Sequence, residues 1–398
     1  MSIKCDNYLP SVFSKLVEKY KRHTDNAELP ELKTEDVDEE YKQQFQKLKL
    51  DKDNAIPLPK GGVAVFYHMK DLCEHHTHIA LLGSLIPEIE SKNSNNFLYI
   101  EEEGNNPALF LHLAYNFTPY LKLKKDITES KAFDILDVCK EKGYKFNIYD
   151  IIGYHDEIYA FNINKESILY GKSNEEIIIC LLIESPYMLH SERKEYLDLI
   201  KLILDSESGK NTKLIDYGMI LSSISSYYNR HAFLDIYRCL EKLFFFPEIY
   251  ELSQHISKET KKNLDIPKLK SICKESLSWQ PKENISISKL LQIIFLDEVE
   301  HTDEKGKVKK DITFYENSEK ICNNFIKEMS IIIDNESSTN INTKKVEKIS
   351  EYIYKYRNSL VHHEDKEYTN LKKLTEEEWL KIAYFIANAL LFFSNKFS

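Results

Sequence analysis

Residues 343–363 have the sequence TKKVEKISEYIYKYRNSLVHH, and this stretch predicts the fold class of the C-terminal half of the chain. Its apolar residues recur at intervals of three and four, which places them on one stripe of a helix; they are Val346, Ile349, Ile353, Tyr356 and Leu360. A helix with a single apolar stripe buries that stripe against neighbouring elements. The pattern therefore predicts a packed helical bundle.

Three polar residues at the end of this helix form a candidate catalytic site: Arg357, Asn358 and His362. Asn358 and His362 are four residues apart and share a helix face, so the amide can hydrogen-bond the imidazole and orient it. Arg357 lies beside them and offers the forked donors that suit a phosphate. An imidazole with a pKa of ~6.5 can take the proton of a ribose 2′-hydroxyl or protonate a leaving 5′-oxygen. The motif therefore indicates RNA cleavage through the 2′-hydroxyl, without a metal ion.

The run from Tyr356 to His362 resembles the R-x4-H signature of HEPN-domain ribonucleases of bacterial abortive-infection and antiphage defence proteins. The string AFLDIYRCLE at 232–241 is similar to the early helix of such domains, so that the resemblance covers about 215–398. It implies a HEPN-like helical bundle, an RNA substrate, and a homodimer in which two motifs meet in one cleft. It also implies a toxin-like effector whose first half senses a phage trigger or binds a regulator.

Three more residues are candidates for a supporting role: Glu241, Arg238 and His363. Glu241 and Arg238 are three apart on one helix face, so an intrahelical ion pair is the ordinary alternative. His363 is alternatively a solvent-facing neighbour. An arginine and a histidine at a helix C-terminus also commonly only complement the helix dipole. On that interpretation the module is catalytically silent and serves dimerisation or the binding of RNA or protein.

A second cluster favours different chemistry. Cys73, His75, His76 and His78 follow His68 closely, and His76 and His78 are candidate ligands of a zinc-dependent hydrolase. His76 and His78, followed by Gly83 and Ser84, resemble the opening motif of adenosine-deaminase-like hydrolases. That family requires a (β/α)8 barrel with further ligands at later strand ends, which the helical remainder does not supply. A histidine cluster without metal is therefore the preferred interpretation, and we expect no cofactor.

Composition bounds the other function classes. The chain of 398 residues carries a net charge of −10, but the part from Ile256 onward has 24 Lys and Arg against 23 Asp and Glu, so a short RNA segment can still bind there. Only 10 glycines and no GxGxxG or GxxxxGK[ST] string argue against a dinucleotide or P-loop enzyme. Seven dispersed cysteines without a CxxC pair, and no long apolar segment, indicate a cytoplasmic protein that does not enter a membrane.

The whole chain is expected to be mainly α with an α+β N-terminal domain. We expect a polar helical lead over 1–60, an α+β domain of unknown role over 61–172 and a helical region over 173–398 that ends in the HEPN bundle. Strands are predicted at 63–67, 97–100, 110–114, 144–149 and 157–163, with a helix at 129–142. Helices are predicted at 175–184, 192–204, 214–228, 233–246, 286–300, 318–334, 343–361 and 375–393. Loops are predicted at 302–311 and 335–343, and Thr375 with Glu378 predicts a capping box at the start of the last helix.

Overall fold

The computed structural model describes a large part of the chain, in two compact units, Met1–Ser191 and Glu192–Ser398. The described residues of the first unit are 12, 15–16, 19, 43, 45–58, 61–69, 78–83, 97–99, 106–124, 127, 152–153, 155, 158–163, 166–167, 169 and 171–184. Those of the second unit are 193–207, 215–260, 266–277, 281–302, 308–315, 317–333, 341–361 and 371–397. The described residues are mainly helical, with a small antiparallel sheet in the first unit.

The first unit contains a sheet with the strand order β1-β2-β3-β5-β4, in which every neighbouring pair is antiparallel. The strands are β1 (Leu48–Leu58), β2 (Gly62–Met69), β3 (His78–Leu82), β4 (Phe97–Tyr99) and β5 (Tyr159–Ile163). The central strand β3 is buried along its whole length, as its apolar sequence HIALL requires. The predicted strands at 63–67, 97–100 and 157–163 are thus largely confirmed.

Two helices of the first unit are described, α1 (Pro107–Phe117) and α2 (Asn174–Glu184). The prediction of a strand at 110–114 is wrong, because these residues lie within α1. A short apolar run has the same appearance in a buried helix and a buried strand. The deciding signal is local: the Asn106 side chain accepts hydrogen bonds from the amides of Ala108 and Leu109, and Pro107 stands at the first helical position.

The predicted helical lead over 1–60 also needs correction, since its end is not helical. Leu48–Leu58 forms β1 and pairs with β2, because Leu48, Leu50, Ile56 and Leu58 bury their side chains in the sheet. The predicted helix at 129–142 and the strand at 144–149 lie outside the described residues.

The second unit is built from helices. They are α3 (Lys194–Glu207), α4 (Tyr217–Ser225), α5 (Asn229–Glu241), α6 (Phe246–Thr260), α7 (Ile266–Leu277), α8 (Glu283–Phe295), α9 (Ser318–Glu328), α10 (Ile341–Val361) and α11 (Glu376–Phe397). Helix α11 packs against α3, α5, α8 and α9, and most of its residues from Trp379 to Phe393 are buried. It is therefore the central helix of the unit.

The start of α11 has the predicted capping box. The Thr375 amide donates to Glu378 Oε2 at 2.8 Å, and the Glu378 amide donates to Thr375 Oγ1 at 3.2 Å. Two amides that have no partner within the helix are satisfied in this way. The long α10 also agrees with its prediction, since Val346, Ile349 and Ile353 are completely buried.

A two-stranded hairpin replaces part of the predicted helix at 286–300 and the predicted loop at 302–311. Helix α8 ends at Phe295, and β6 (Leu296–Thr302) pairs antiparallel with β7 (Val308–Phe314). In the register of this hairpin Glu300 lies opposite Lys310 and His301 opposite Lys309. The predictions were wrong here because charged residues obscure the alternation of Val308, Ile312 and Phe314. Within the described parts of the chain, no helix is long and apolar enough to span a bilayer.

Candidate functional site

Arg357 lies near the C-terminal end of α10, and two carboxylates from other helices hold its guanidinium. Its Nη2 donates to Glu241 Oε1, at the end of α5, over 2.8 Å. Its Nε lies 3.2 Å from Oε1 of Glu283, the first residue of α8. All three side chains are partly buried, with 19% of Arg357, 27% of Glu241 and 28% of Glu283 exposed. The arginine therefore cross-links three helices of the unit.

Tyr237 packs against this cluster and donates a further hydrogen bond to it. Its ring faces the Arg357 guanidinium, with Cζ 5.7 Å from the ring centre, and its hydroxyl donates to Glu283 Oε1 at 2.9 Å. Burial of the side chain and the neighbouring Glu283 carboxylate raise the pKa of Tyr237. The tyrosine therefore remains a donor to Glu283 at any physiological pH.

Glu241 is a carboxylate of this cluster whose pKa is raised. Burial raises its pKa above the ordinary 4.5, the Arg357 cation opposes that effect, and the nearby Glu283 carboxylate adds to it. Two carboxylates share one guanidinium here, so the cluster of Arg357, Glu241 and Glu283 has a formal charge of −1 when both are ionised. Protonation of Glu241 makes the cluster neutral and relieves the burial of a charged carboxylate, which outweighs the weaker contact with Arg357.

Asn358 stands next to Arg357 and is part of the same site. Its Oδ1 accepts a hydrogen bond of 2.9 Å from Arg357 Nη1, and only 4% of the residue is exposed. The expected contact of Asn358 with His362 lies outside the described residues, as do His362 and His363 themselves. The description of α10 ends at Val361, so Arg357 and Asn358 are the members of the motif that can be placed.

Arg238 is on the same helix as Glu241, but its contact is with a different carboxylate. Its Nη1 donates to Asp235 Oδ1 at 3.2 Å, and 58% of its side chain is exposed. The ion pair of Glu241 that the structure contains is with Arg357, although the Arg238 cation also helps to lower the pKa of Glu241. The structure thus brings Glu241 into the Arg357 site and leaves Arg238 on the surface beside it.

The donors of Arg357 determine what the site can bind. A guanidinium has five N–H groups. One donates to Glu241 and one to Asn358, and the Nε–H group belongs to the ion pair with Glu283. Among the described residues, nothing engages the remaining two. An arginine that is fixed in this way but retains donors can bind a phosphate oxygen with little loss of side-chain entropy.

Two members of the cluster, Glu283 and Tyr237, were not predicted as site residues. They are 46 positions apart, and Glu241 is 116 positions from Arg357, so only the packing of the helices brings them together. One sequence signal was available for Tyr237, which lies four residues before Glu241 and hence on the same face of α5. Glu283 gives no comparable signal.

The histidines of the proposed zinc site are only partly described. His78 is in β3 with 1% of its surface exposed, and its ring lies 5.1 Å from the ring of Tyr67. His68 is an exposed residue of β2, while Cys73, His75 and His76 lie outside the described residues. In the described part of the chain, no three His, Cys, Asp or Glu side chains are close enough together to hold a metal ion.

No protein-family model, no curated protein and no solved structure matches this chain.

Proposed function

We propose that this protein is a metal-independent endoribonuclease in which Arg357 and His362 act on the scissile phosphate, and that it acts as a toxin-like effector of bacterial antiviral defence. One observation carries the proposal: the Arg357 guanidinium is fixed by Glu241 and Glu283 and retains donors, five residues before His362. The two segments that resemble HEPN domains, 232–241 and 356–362, thus meet at Arg357. Their meeting supports a common site.

The reaction requires one bond to form and one to break at phosphorus. The ribose 2′-oxygen attacks the adjacent phosphorus while an imidazole takes its proton, and the 5′-oxygen leaves with a proton from an imidazolium. The products are a 2′,3′-cyclic phosphate and a 5′-hydroxyl. Arg357 stabilises the charge on the non-bridging oxygens of the transition state, and Asn358 helps to hold Arg357 through its amide oxygen.

The proposed active form is a homodimer. One imidazole has to serve two proton transfers on opposite sides of the phosphorus, whereas two copies of the motif around a twofold axis supply a base and an acid. The acidic first half of the chain is then available for a regulator or a phage trigger.

The test is cleavage of RNA by the purified full-length protein in excess EDTA. We expect His362→Ala to lower the rate by ~100-fold or more, because a proton-transfer group is lost. His363→Ala is the matched control, since it removes the adjacent imidazole, and it should retain most of the activity. Cleavage by His362→Ala at the wild-type rate would show that the assignment is wrong.

A second candidate function has an observation in its favour. The contacts of Arg357 with Glu241 and Glu283 cross-link α5, α8 and α10, and such a cluster also suits a catalytically silent module that binds RNA or protein. The same assay separates the two functions, because a silent module leaves RNA intact in every variant while it retains its folded dimer.

A further inference from the structure

The turn between α4 and α5 exposes aromatic and cationic side chains on the surface of the second unit. Tyr227 is 68% exposed and Tyr228 is 44% exposed, which makes them prominent among the large apolar side chains on the surface. Arg230 and His231 follow them and are also exposed. We call these four residues the Tyr227–His231 platform.

The side chains of the platform pack against one another, with their rings edge to face. The rings of Tyr227 and Tyr228 are 4.9 Å apart and nearly perpendicular, and the His231 ring lies 5.6 Å from that of Tyr228. The guanidinium of Arg230 lies 5.0 Å from the Tyr228 ring centre. These contacts orient the rings before any ligand binds.

A buried arginine fixes the backbone beneath the platform. Arg193 is only 2% exposed, and its guanidinium donates to the carbonyl oxygens of Ser226 and Tyr227 and to Asn229 Oδ1. Glu376, at the start of α11, accepts a hydrogen bond of 2.7 Å from the Asn229 amide through Oε2. Burial of a guanidinium costs free energy unless its donors find partners. Here the partners are in the turn, so Arg193 fixes the conformation of the backbone that carries Tyr227 and Tyr228.

Helix α5 connects the platform with the Arg357 cluster. The platform is at the N-terminal end of α5 and Glu241 is its last residue, so about 20 Å of helix separate them. His231 and Arg238 are seven residues apart, hence two turns along one exposed face, and Arg238 is three residues before Glu241. The exposed face of α5 therefore leads from the aromatic rings past the ion pair of Arg238 with Asp235 to the arginine of the proposed active site.

We propose that the Tyr227–His231 platform stacks bases of single-stranded RNA whose backbone follows the exposed face of α5 to Arg357. This inference rests on the proposed nuclease function. Exposed Tyr, His and Arg side chains stack on unpaired bases of any sequence, and a neighbouring cation contacts the phosphates. A protein interface is centred on a desolvated apolar cluster, whereas the residues exposed beside these two rings are polar or charged, namely Ser222, Arg230 and His231.

The experiment measures the affinity of the full-length chain for a fluorescent single-stranded RNA of roughly 12 nucleotides, within the site size of such proteins. All proteins carry His362→Ala, so that the RNA is not cut. Tyr227→Ala with Tyr228→Ala should weaken binding by about 10-fold or more, because base stacking is lost, and the double Phe variant should bind like the parent. The control is Tyr384→Ala in α11, which removes a ring that is 38% exposed elsewhere in the unit and should not change the affinity.

The outcomes separate the platform from the nuclease. If the double Ala variant binds RNA as tightly as the parent while the enzyme with His362 cleaves RNA, the platform is refuted and the nuclease stands. If the double Ala variant loses RNA and the protein with His362 still does not cleave, the platform stands and the nuclease is refuted. Loss of the dimer in the double Ala variant, with unchanged RNA affinity, would assign the turn to an interface between two copies of the chain.

Discussion

Arg357 donates through Nη2 to Glu241 Oε1 at 2.8 Å, across 116 positions of the sequence. Of the proposed catalytic pair, Arg357 and His362, the structure describes Arg357. The contact joins this arginine to Glu241, the last residue of α5. It has two consequences. It orients the guanidinium, and it places a competing anion beside the group that has to bind phosphate. Neutralising Glu241 and Glu283 should therefore reduce what Arg357 contributes to the free energy of unfolding. The same change should increase what Arg357 contributes to RNA binding.

The first prediction concerns stability. Arg357 lies at a helix end, away from the apolar stripe, so the sequence alone predicts that Arg357→Ala lowers the free energy of unfolding only slightly. The contacts with Glu241 and Glu283 change that expectation. Without the guanidinium two partly buried carboxylates face each other, and we expect a loss of about 2 kcal/mol in the free energy of unfolding, less than for a fully buried pair. Urea denaturation measures it. Arg238→Ala, on the exposed face of α5, is the control and should change it by less than about 0.5 kcal/mol.

The same prediction has an internal check. Glu241→Gln with Glu283→Gln removes the repulsion, so the two changes should restore most of the stability that Arg357→Ala loses. Additive losses in the triple variant would contradict the electrostatic explanation.

The second prediction concerns pH. Because the pKa of Glu241 is raised above 4.5, its protonation stabilises the fold fully below pH 4.5, and this contribution is lost as the pH rises through the raised value. The difference in unfolding free energy between wild type and Glu241→Gln should therefore shift in favour of wild type as the pH falls through that window. Glu351→Gln is the control, since Glu351 is 53% exposed on α10. A difference that does not change with pH would show that Glu241 is not perturbed.

The sequence predicted seven of the nine described helices of the second unit and missed α6 and α7, and it did not predict which helices are in contact. The period of Val346, Ile349 and Ile353 determines α10 because burial of a stripe is a local property of the helix. Glu283 joins the site only through the packing of α8, and no local pattern encodes that contact. The hairpin of β6 and β7 was missed for a related reason, since its pairing places Glu300 opposite Lys310, a relationship that no periodicity within one strand contains.

One of the misassigned segments of the first unit, 110–114, could have been assigned correctly from local signals in the sequence. Residues 110–114 are apolar enough for a buried strand, but Asn106 and Pro107 before them are a helix start. For the candidate site, Arg357 was predicted from the sequence and Glu241 was a candidate for a supporting role with an ion pair to Arg238 as the alternative, and the structure places Glu241 in direct contact with Arg357. His362 remains a prediction.

The third prediction concerns the reaction products. Attack by the 2′-hydroxyl leaves a 2′,3′-cyclic phosphate on one fragment and a 5′-hydroxyl on the other, and an RNA with a 2′-O-methyl group at the scissile position should resist cleavage because its nucleophile is blocked. Mass spectrometry of the fragments, with the reaction carried out in excess EDTA, identifies both ends. Fragments with a 5′-phosphate, or complete loss of activity with the chelator, would indicate a metal-dependent mechanism instead.

The fourth prediction concerns the buried Arg193. Arg193→Met keeps most of the side-chain volume but removes the donors to Ser226, Tyr227 and Asn229, so we expect a loss of about 3 kcal/mol in unfolding free energy. Arg230→Met, which changes an exposed arginine of the same turn, should cost less than about 0.5 kcal/mol. Chemical denaturation of both variants tests the expectation, and equal effects would show that the buried guanidinium does not hold the turn.

The last prediction concerns the homodimer. One Arg357 and one His362 give a sparse phosphate site, whereas two copies supply a base and an acid to one cleft. The approach of two Arg357 side chains is repulsive, but each carries its own Glu241 and Glu283 carboxylates, which offset that repulsion in the absence of RNA. Light scattering should therefore show a dimer before RNA is added, and RNA should strengthen it.

Subunit mixing tests whether the dimer shares one active site. With nine His362→Ala subunits for each wild-type subunit and free exchange, only about one dimer in a hundred retains both imidazoles, so activity should fall about tenfold below simple dilution. His363→Ala subunits are the matched control. They dilute the wild-type subunits in the same way, but they keep His362, so the mixture should retain most of its activity. Activity proportional to the wild-type fraction, or full activity of a monomer, would refute the shared cleft and leave the roles of Arg357 and His362 to be decided by their own variants.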